Sequence, residues 1–126
     1  MKNFKEVRPK TIFCDIDGTL VKHLAPCHTS KPSHKMELLP GTLEKLEEWD
    51  IKGYNLILTT GRKESCRKML EKQLVEVGIM YDMLIMGIGG WVRVVINDLK
   101  PYGDYDTAKS VNLSRDEGIK NLNIWK

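Results

Sequence analysis

The stretch TIFCDIDGTL, residues 11–20, decides the fold prediction for this chain. Its first half, Thr11 to Asp15, is a short β-prone run after Pro9, which predicts a buried strand. Two aspartates interrupt the apolar run where the chain must leave a sheet, and Gly18 has the backbone freedom that a sharp exit requires. The stretch therefore predicts a strand that ends in an acidic loop.

The rest of the chain alternates between predicted helices and strands. A first helix is expected after Pro40-Gly41, with Leu43, Leu46 and Trp49 on one face. A second helix is predicted over residues 63–77, and further strands are predicted at 54–59, 81–86, 93–97 and 109–113. Such alternation is typical of a parallel sheet covered by helices, so we expect an α/β, Rossmann-like three-layer sandwich with a mainly parallel sheet.

The composition is that of one ordinary globular domain. The chain has 126 residues, of which 41% are hydrophobic and 29% are charged. We expect a single domain over residues 1–126, with a short polar loop or flap at about 21–40. The net charge of +3 is too small to indicate a nucleic-acid partner, and no apolar run is long enough to indicate a membrane partner.

Cysteine usage and the first residues predict the cellular compartment. The 3 cysteines are an odd number, which argues against a disulfide framework. The first residues lack the apolar segment of a secretory signal. We therefore expect reduced thiols and a cytoplasmic localisation.

Three polar clusters follow predicted strands: residues 15–19, residues 59–62 and the pair Asn97-Asp98. In parallel sheets, ligands bind beyond the carboxyl ends of the strands. Carboxylates crowded at one sheet edge need a cation, and oxygen ligands favour Mg²⁺ over Zn²⁺. The sequence therefore predicts a magnesium site at this edge.

Asp15 and Asp17, two residues apart, project in similar directions and both can face one reacting group. One carboxylate can attack phosphorus, and the other can protonate the leaving oxygen and later deprotonate water. The Thr60 hydroxyl and the Gly61 amide are candidate hydrogen-bond donors to a phosphate oxygen. This pattern predicts phosphoryl chemistry.

These clusters resemble the motifs of the haloacid dehalogenase superfamily of phosphohydrolases. Residues 15–19 match its first motif, Asp-x-Asp-Gly-Thr, residues 58–62 look like the second, and residues 95–98 look like the acidic fourth. The resemblance implies that Asp15 is the nucleophile, Asp17 the acid/base and Thr60 a phosphate ligand. It further implies a Mg²⁺ held by Asp15, Asp17 and Asp98.

The chain departs from that family pattern in two places. Asn97 stands where the fourth motif commonly has a first acidic residue, so weaker Mg²⁺ binding is expected. The basic third motif is not obvious. Arg93 is the first candidate for its phosphate-binding cation because it precedes the fourth motif in the right region, with Lys100 second and Lys63 third.

Other features have simpler interpretations. His23, Cys27, His28 and His34 match no regular zinc spacing and are interpreted as part of a solvated loop. Arg62 is interpreted as a surface ion-pair or loop-orienting residue, and residues 107–118 as a solvated end. The aromatic side chains of Trp91 and Trp125 are candidates for a homo-oligomer contact.

The combined prediction is a Mg²⁺-dependent phosphatase, similar to small family members without a large cap domain. Its expected partner is a small phosphorylated substrate, and a sugar phosphate is the first candidate by family analogy. Two alternatives stay open. One is a phosphate- or metal-binding module that has lost catalysis, and the other is a nucleotide or nucleic-acid end phosphatase.

Overall fold

The structure is a computed structural model that describes residues 9–25, 31–101, 103 and 105–124. Its elements are β1 (Thr11–Asp15), α1 (Thr42–Ile51), β2 (Asn55–Thr59), a 3-10 turn (Glu64–Cys66), α2 (Arg67–Glu76) and β3 (Met83–Ile85). The strands form one parallel sheet in the order β1-β2-β3. The predicted α/β class with a parallel sheet is therefore confirmed.

Both helices cover the same face of the sheet. Cys14, Leu58 and Leu84 are neighbours across the three strands, and all are buried. They share one hydrophobic cluster with side chains from both helices, namely Leu46, Trp49, Leu70 and Leu74. Two right-handed crossovers that advance in the same direction across a sheet place their helices on one face, which explains this arrangement.

The opposite face of the sheet is open within the described part of the chain. Phe13, Ile57 and Met83 are neighbours on this face, and Phe13 and Met83 are 58% and 54% exposed. The described residues thus form two layers, one of strands and one of helices. The predicted third layer is not among them.

The predicted strands at 93–97 and 109–113 do not form. Both segments lack regular structure, and Val94, Val95 and Ile96 are all more than half exposed. High β propensity is insufficient by itself, because a strand needs a neighbouring edge that completes its backbone hydrogen bonds. These two strand predictions were wrong.

The helix α1 differs from the prediction in one core position. Thr42, not Leu43, faces the core together with Leu46 and Trp49, and Leu43 is exposed. The Thr42 hydroxyl donates a 2.7 Å hydrogen bond to the carbonyl of Leu20, which satisfies this buried polar group.

No helix in the described ranges is long and apolar enough to cross a membrane.

The predicted flap is closed at its base. Val21 and Leu38 form an antiparallel bridge, and the Lys22 amide donates to the carbonyl of Glu37 at 2.8 Å. Residues 26–30, which include Cys27 and His28, lie outside the described residues. The base of the flap therefore lies next to the acidic loop that follows β1.

Candidate active site

The acidic loop, residues 15–21, is fixed by its own backbone and by two buried aliphatic side chains. The carbonyl of Ile16 accepts hydrogen bonds from the amides of Thr19, Leu20 and Val21. Ile16 and Leu20 are fully buried, whereas the flanking Asp15 and Asp17 are only partly buried. Alternation along the chain thus turns the aliphatic side chains inward and leaves both carboxylates near the surface.

Asp15 ends β1 beside Thr59, the last residue of β2. Its Oδ2 accepts a hydrogen bond from the Thr19 hydroxyl at 3.2 Å, and its Oδ1 lies 3.4 Å from Nη1 of Arg93. Burial raises the pKa of Asp15 above its ordinary value, while the Arg93 guanidinium and the Thr19 hydroxyl act in the opposite direction. The Asp15 side chain is still 39% exposed, so a substrate can reach it.

Arg93 is the basic residue that the structure brings to Asp15. Besides its contact with Asp15, Nη1 donates to the Thr59 hydroxyl at 3.2 Å. Lys100, the second candidate for this role, instead pairs with Asp98 at 2.8 Å. Among the sequence candidates for a phosphate-binding cation, Arg93 therefore has the contact that the role requires. That role itself stays a prediction.

Asp17 is held by Arg62 through two hydrogen bonds. Nε of Arg62 lies 3.0 Å from Oδ2 of Asp17, and Nη2 lies 2.6 Å from Oδ1. The third guanidinium nitrogen donates to Oε1 of the buried Gln73 at 2.9 Å. Arg62 is only 12% exposed, so the interpretation of a surface ion pair is wrong, while that of an orienting residue fits.

Thr60 and Gly61 lie in a loop that is hydrogen-bonded to the chain after β3. The Thr60 amide donates to the carbonyl of Ile85, and its own carbonyl accepts from the Ile88 amide. The Thr60 hydroxyl accepts from the Arg62 amide at 3.1 Å and is buried, whereas Gly61 is exposed. Their predicted phosphate contacts stay predictions.

The structure does not bring Asp98 to the two aspartates of the acidic loop. Its side chain is 74% exposed and accepts from Lys100, whose hydrogen bond and charge lower the pKa of Asp98. Because the predicted strand at 93–97 does not form, nothing carries Asp98 to the sheet edge. Asn97 is likewise exposed and donates to the Thr107 carbonyl.

The donor set therefore fits a magnesium ion only in part. Asp15 and Asp17 offer carboxylate oxygens, the donor type that Mg²⁺ prefers. Each, however, is in contact with an arginine, and across the described ranges no three His, Cys, Asp or Glu side chains group as cation ligands. We derive no chemical step through a metal from this arrangement.

The C-terminal segment, residues 114–120, contacts the acidic loop, although its charges predicted a solvated end. The Asp116 amide donates to the carbonyl of Gly18 at 2.9 Å, and the Asp116 carboxylate accepts from the His23 amide at 2.8 Å. Ile119 is 1% exposed and belongs to the core. Asp116 and Gly118 are therefore half-buried, whereas residues 107–115 and Glu117 are exposed, as predicted for a solvated end. The apolar Ile119 was the signal in the sequence that this segment docks on the core.

Only some of the aromatic and zinc-ligand candidates belong to the residues that the structure describes. Trp91 is 88% exposed, as expected for a contact residue, while Trp125 lies outside the described residues. Of the candidate zinc ligands, only His23 and His34 belong to the described part of the chain.

Comparison with known proteins identifies the family. Residues 12–99 match the family of haloacid dehalogenase-like hydrolases, and the chain belongs to that family. A comparison with curated proteins found no match.

Two solved structures with TM-scores above 0.5 share this fold. A chain from the Pnkp1/Rnl/Hen1 complex is 30% identical with a TM-score of 0.55, over 68% of this chain and 30% of that chain. This chain thus spans under a third of that relative. A Vibrio cholerae protein is 18% identical with a TM-score of 0.52, over 72% of this chain and 81% of its own length. D,D-heptose 1,7-bisphosphate phosphatase from B. bronchiseptica, solved with magnesium and phosphate, is 17% identical with a TM-score of 0.46, over 73% of this chain and 57% of its own length.

Proposed function

We propose that this hydrolase is a phosphatase that cleaves a phosphate monoester through an aspartyl-phosphate on Asp15. The observation that carries the proposal is the pairing of a partly exposed Asp15 with Arg93, 3.4 Å away. A carboxylate alone repels a phosphate dianion. A guanidinium beside it attracts the phosphate oxygens and offsets that repulsion.

The reaction uses two carboxylates in sequence. An oxygen of Asp15 attacks phosphorus, the bond from phosphorus to the leaving oxygen breaks, and Asp17, in its protonated form, supplies the proton to that oxygen. Water then attacks the phosphorus of the aspartyl-phosphate, Asp17 takes the proton, and inorganic phosphate leaves.

Arg62 positions Asp17 for both proton transfers. Two hydrogen bonds from one guanidinium fix the plane of the Asp17 carboxylate. Asp17 releases one of them when it exchanges a proton with the substrate. Gln73 in turn holds Arg62, so the acid/base is oriented from α2.

The proposal includes Mg²⁺ as the cofactor and a sugar phosphate as the substrate. The family resemblance supports a Mg²⁺ requirement, and Asp15 and Asp17 supply two oxygen donors for the ion. The sugar phosphate also rests on the resemblance. The flap predicted over residues 21–40 is too short for a large cap domain, which would leave the site open to a bulky substrate.

Phosphate release tests the proposal. Wild type and Asp15→Asn are assayed with sugar phosphates, nucleotides and 4-nitrophenyl phosphate, with and without Mg²⁺. We expect Mg²⁺-dependent release that Asp15→Asn abolishes. Arg93→Ala should lower kcat/KM by about tenfold or more, as expected when a charged phosphate contact is lost. Lys100→Ala is the matched control, because Lys100 contacts Asp98 and not Asp15. Equal rates for wild type and Asp15→Asn would contradict the proposal.

A further inference from the structure

The C-terminal segment places one arginine directly over the acidic loop. Gly18 has φ +87°, and an ideal Cβ on it would lie 3.2 Å from Cγ and 3.8 Å from Nε of Arg115. The stem of Arg115 therefore fills the space that a side chain at position 18 would take. Because Gly18 directly follows Asp17 in the chain, Arg115 lies beside the loop that carries the proton donor of the proposed reaction.

The backbone around Arg115 is held in place, whereas its guanidinium forms no ion pair in the described part of the chain. The Asp116 amide is hydrogen-bonded to Gly18, and Ile119 anchors the segment in the core. The Asp116 carboxylate accepts from the backbone amide of His23. In the ranges that the structure describes, no carboxylate forms an ion pair with Arg115, although ion pairs hold Arg62 and Arg93.

We propose that Arg115 binds a second anionic group on the leaving group of the substrate. This inference rests on the proposed function. The transferred phosphate lies at Asp15, and the leaving oxygen must lie at Asp17 to receive its proton. A leaving group that extends from Asp17 past Gly18 reaches Arg115. A guanidinium recognises phosphate and carboxylate through paired hydrogen bonds, so the substrate class is a phosphate ester with a second phosphate or a carboxylate.

The side chain of His23 borders the same position. Its Cβ lies 3.7 Å from the ideal Cβ on Gly18, and its backbone is fixed by Asp116. The anion subsite is thus bounded by residues from two distant parts of the chain, residues 18–23 and the C-terminal segment. Neither part forms the subsite alone.

Matched sugar phosphates test this inference. Glucose 1-phosphate, glucose 1,6-bisphosphate and glucuronic acid 1-phosphate differ only in the group at carbon 6, which is neutral, a phosphate or a carboxylate. The measured quantity is the ratio of kcat/KM for each ester with an anionic group at carbon 6 to kcat/KM for glucose 1-phosphate. Arg115→Met keeps the stem over Gly18 and removes the charge, and Arg115→Lys restores a charge. Lys120→Met removes a charge from the same segment and is the matched control.

We expect Arg115→Met to lower the ratio about tenfold, as expected for one charge-assisted contact, through KM. Arg115→Lys should recover part of it, and Lys120→Met should leave it unchanged. The carbon-6 group with the larger loss identifies the preferred anion. An unchanged ratio for Arg115→Met overturns the inference.

Calorimetric binding of the three esters to Asp15→Asn, with and without Arg115→Met, separates this inference from the proposed function. If wild type releases no phosphate but Arg115→Met selectively weakens binding of the two esters with an anionic group at carbon 6, the proposed function fails and the anion subsite stands. If wild type turns over the esters and binding is equal with and without Arg115, the subsite fails and the proposed function stands.

Discussion

Removal of the Arg62 guanidinium should destabilise the fold more than any loss of a surface charge. Arg62→Ala removes two hydrogen bonds to Asp17, of 3.0 and 2.6 Å, and one of 2.9 Å to Gln73. The Asp17 carboxylate, only 19% exposed, then loses its counter-charge. Breaking a buried ion pair from one side costs about 3–5 kcal/mol. Because both groups keep some exposure, we expect about 3 kcal/mol, or about 10 °C in Tm for a chain of this size.

Urea unfolding followed by circular dichroism measures this loss. Lys72→Ala is the control, because its pair with Glu76 spans 3.9 Å and is exposed, and its loss should cost less than about 0.5 kcal/mol. A double-mutant cycle with Asp17→Asn should give a coupling energy of about 2 kcal/mol between Arg62 and Asp17. A loss below about 1 kcal/mol for Arg62→Ala, or a coupling energy near zero, would refute the reasoning.

Three further predictions concern other groups. Gly118→Ala should lower the free energy of unfolding in urea by about 2 kcal/mol more than Gly78→Ala does. Both glycines have a positive φ, +83° at Gly118 and +82° at Gly78, but only a Cβ at position 118 would meet a backbone oxygen, at 2.5 Å. Equal losses would contradict this. Burial raises the pKa of Asp15 in the folded state, so folding stability without metal should fall as pH rises from 3.8 to that raised value. Asp15→Asn should remove this part of the pH dependence in a urea series, and an unchanged profile would argue against it. Burial raises the pKa of Cys14 to about 12, so iodoacetamide at about pH 8 should spare Cys14 and alkylate Cys66, as peptide mass spectrometry can check.

Local patterns predicted the first two-thirds of the fold. Apolar runs bounded by Pro, Gly and polar residues predicted β1, β2 and β3, and helical spacing predicted α1 and α2. These signals work because each element buries one face against the same cluster. The acidic loop could also be predicted, because Asp15 and Asp17 interrupt a strand at its end.

The later part of the chain shows where such patterns fail. Residues 93–97 have the composition of a strand, yet their side chains are exposed and no strand in the described part of the chain pairs with them. Strand formation depends on a partner edge, which a local pattern does not encode. The same failure separates Asp98 from the acidic loop, because its predicted place depended on that strand.

The pairing of Asp17 with Arg62 could not be predicted from a local pattern either, and Arg93 was a candidate only through the family resemblance. Asp17 is paired with Arg62 at a sequence separation of 45, and Arg93 is separated from Asp15 by 78. The link from His23 to Asp116 spans 93 residues. A local motif identifies the carboxylates, but their counter-charges come from whichever distant segments the fold brings near.

This distribution of charge makes the site depend on the whole chain. The acidic loop contributes carboxylates from a single segment, while arginines reach it from the loop after β2, the chain after β3 and the C-terminal segment. Asp15 and Asp17 repel one another unless Arg62 and Arg93 offset their charges, so the arrangement depends on segments distant from the acidic loop. Loss of the C-terminal docking should then reduce activity even when Asp15 and Asp17 are intact. A truncation before residue 114 that kept full activity would show that the acidic loop is held by β1 and β2 alone.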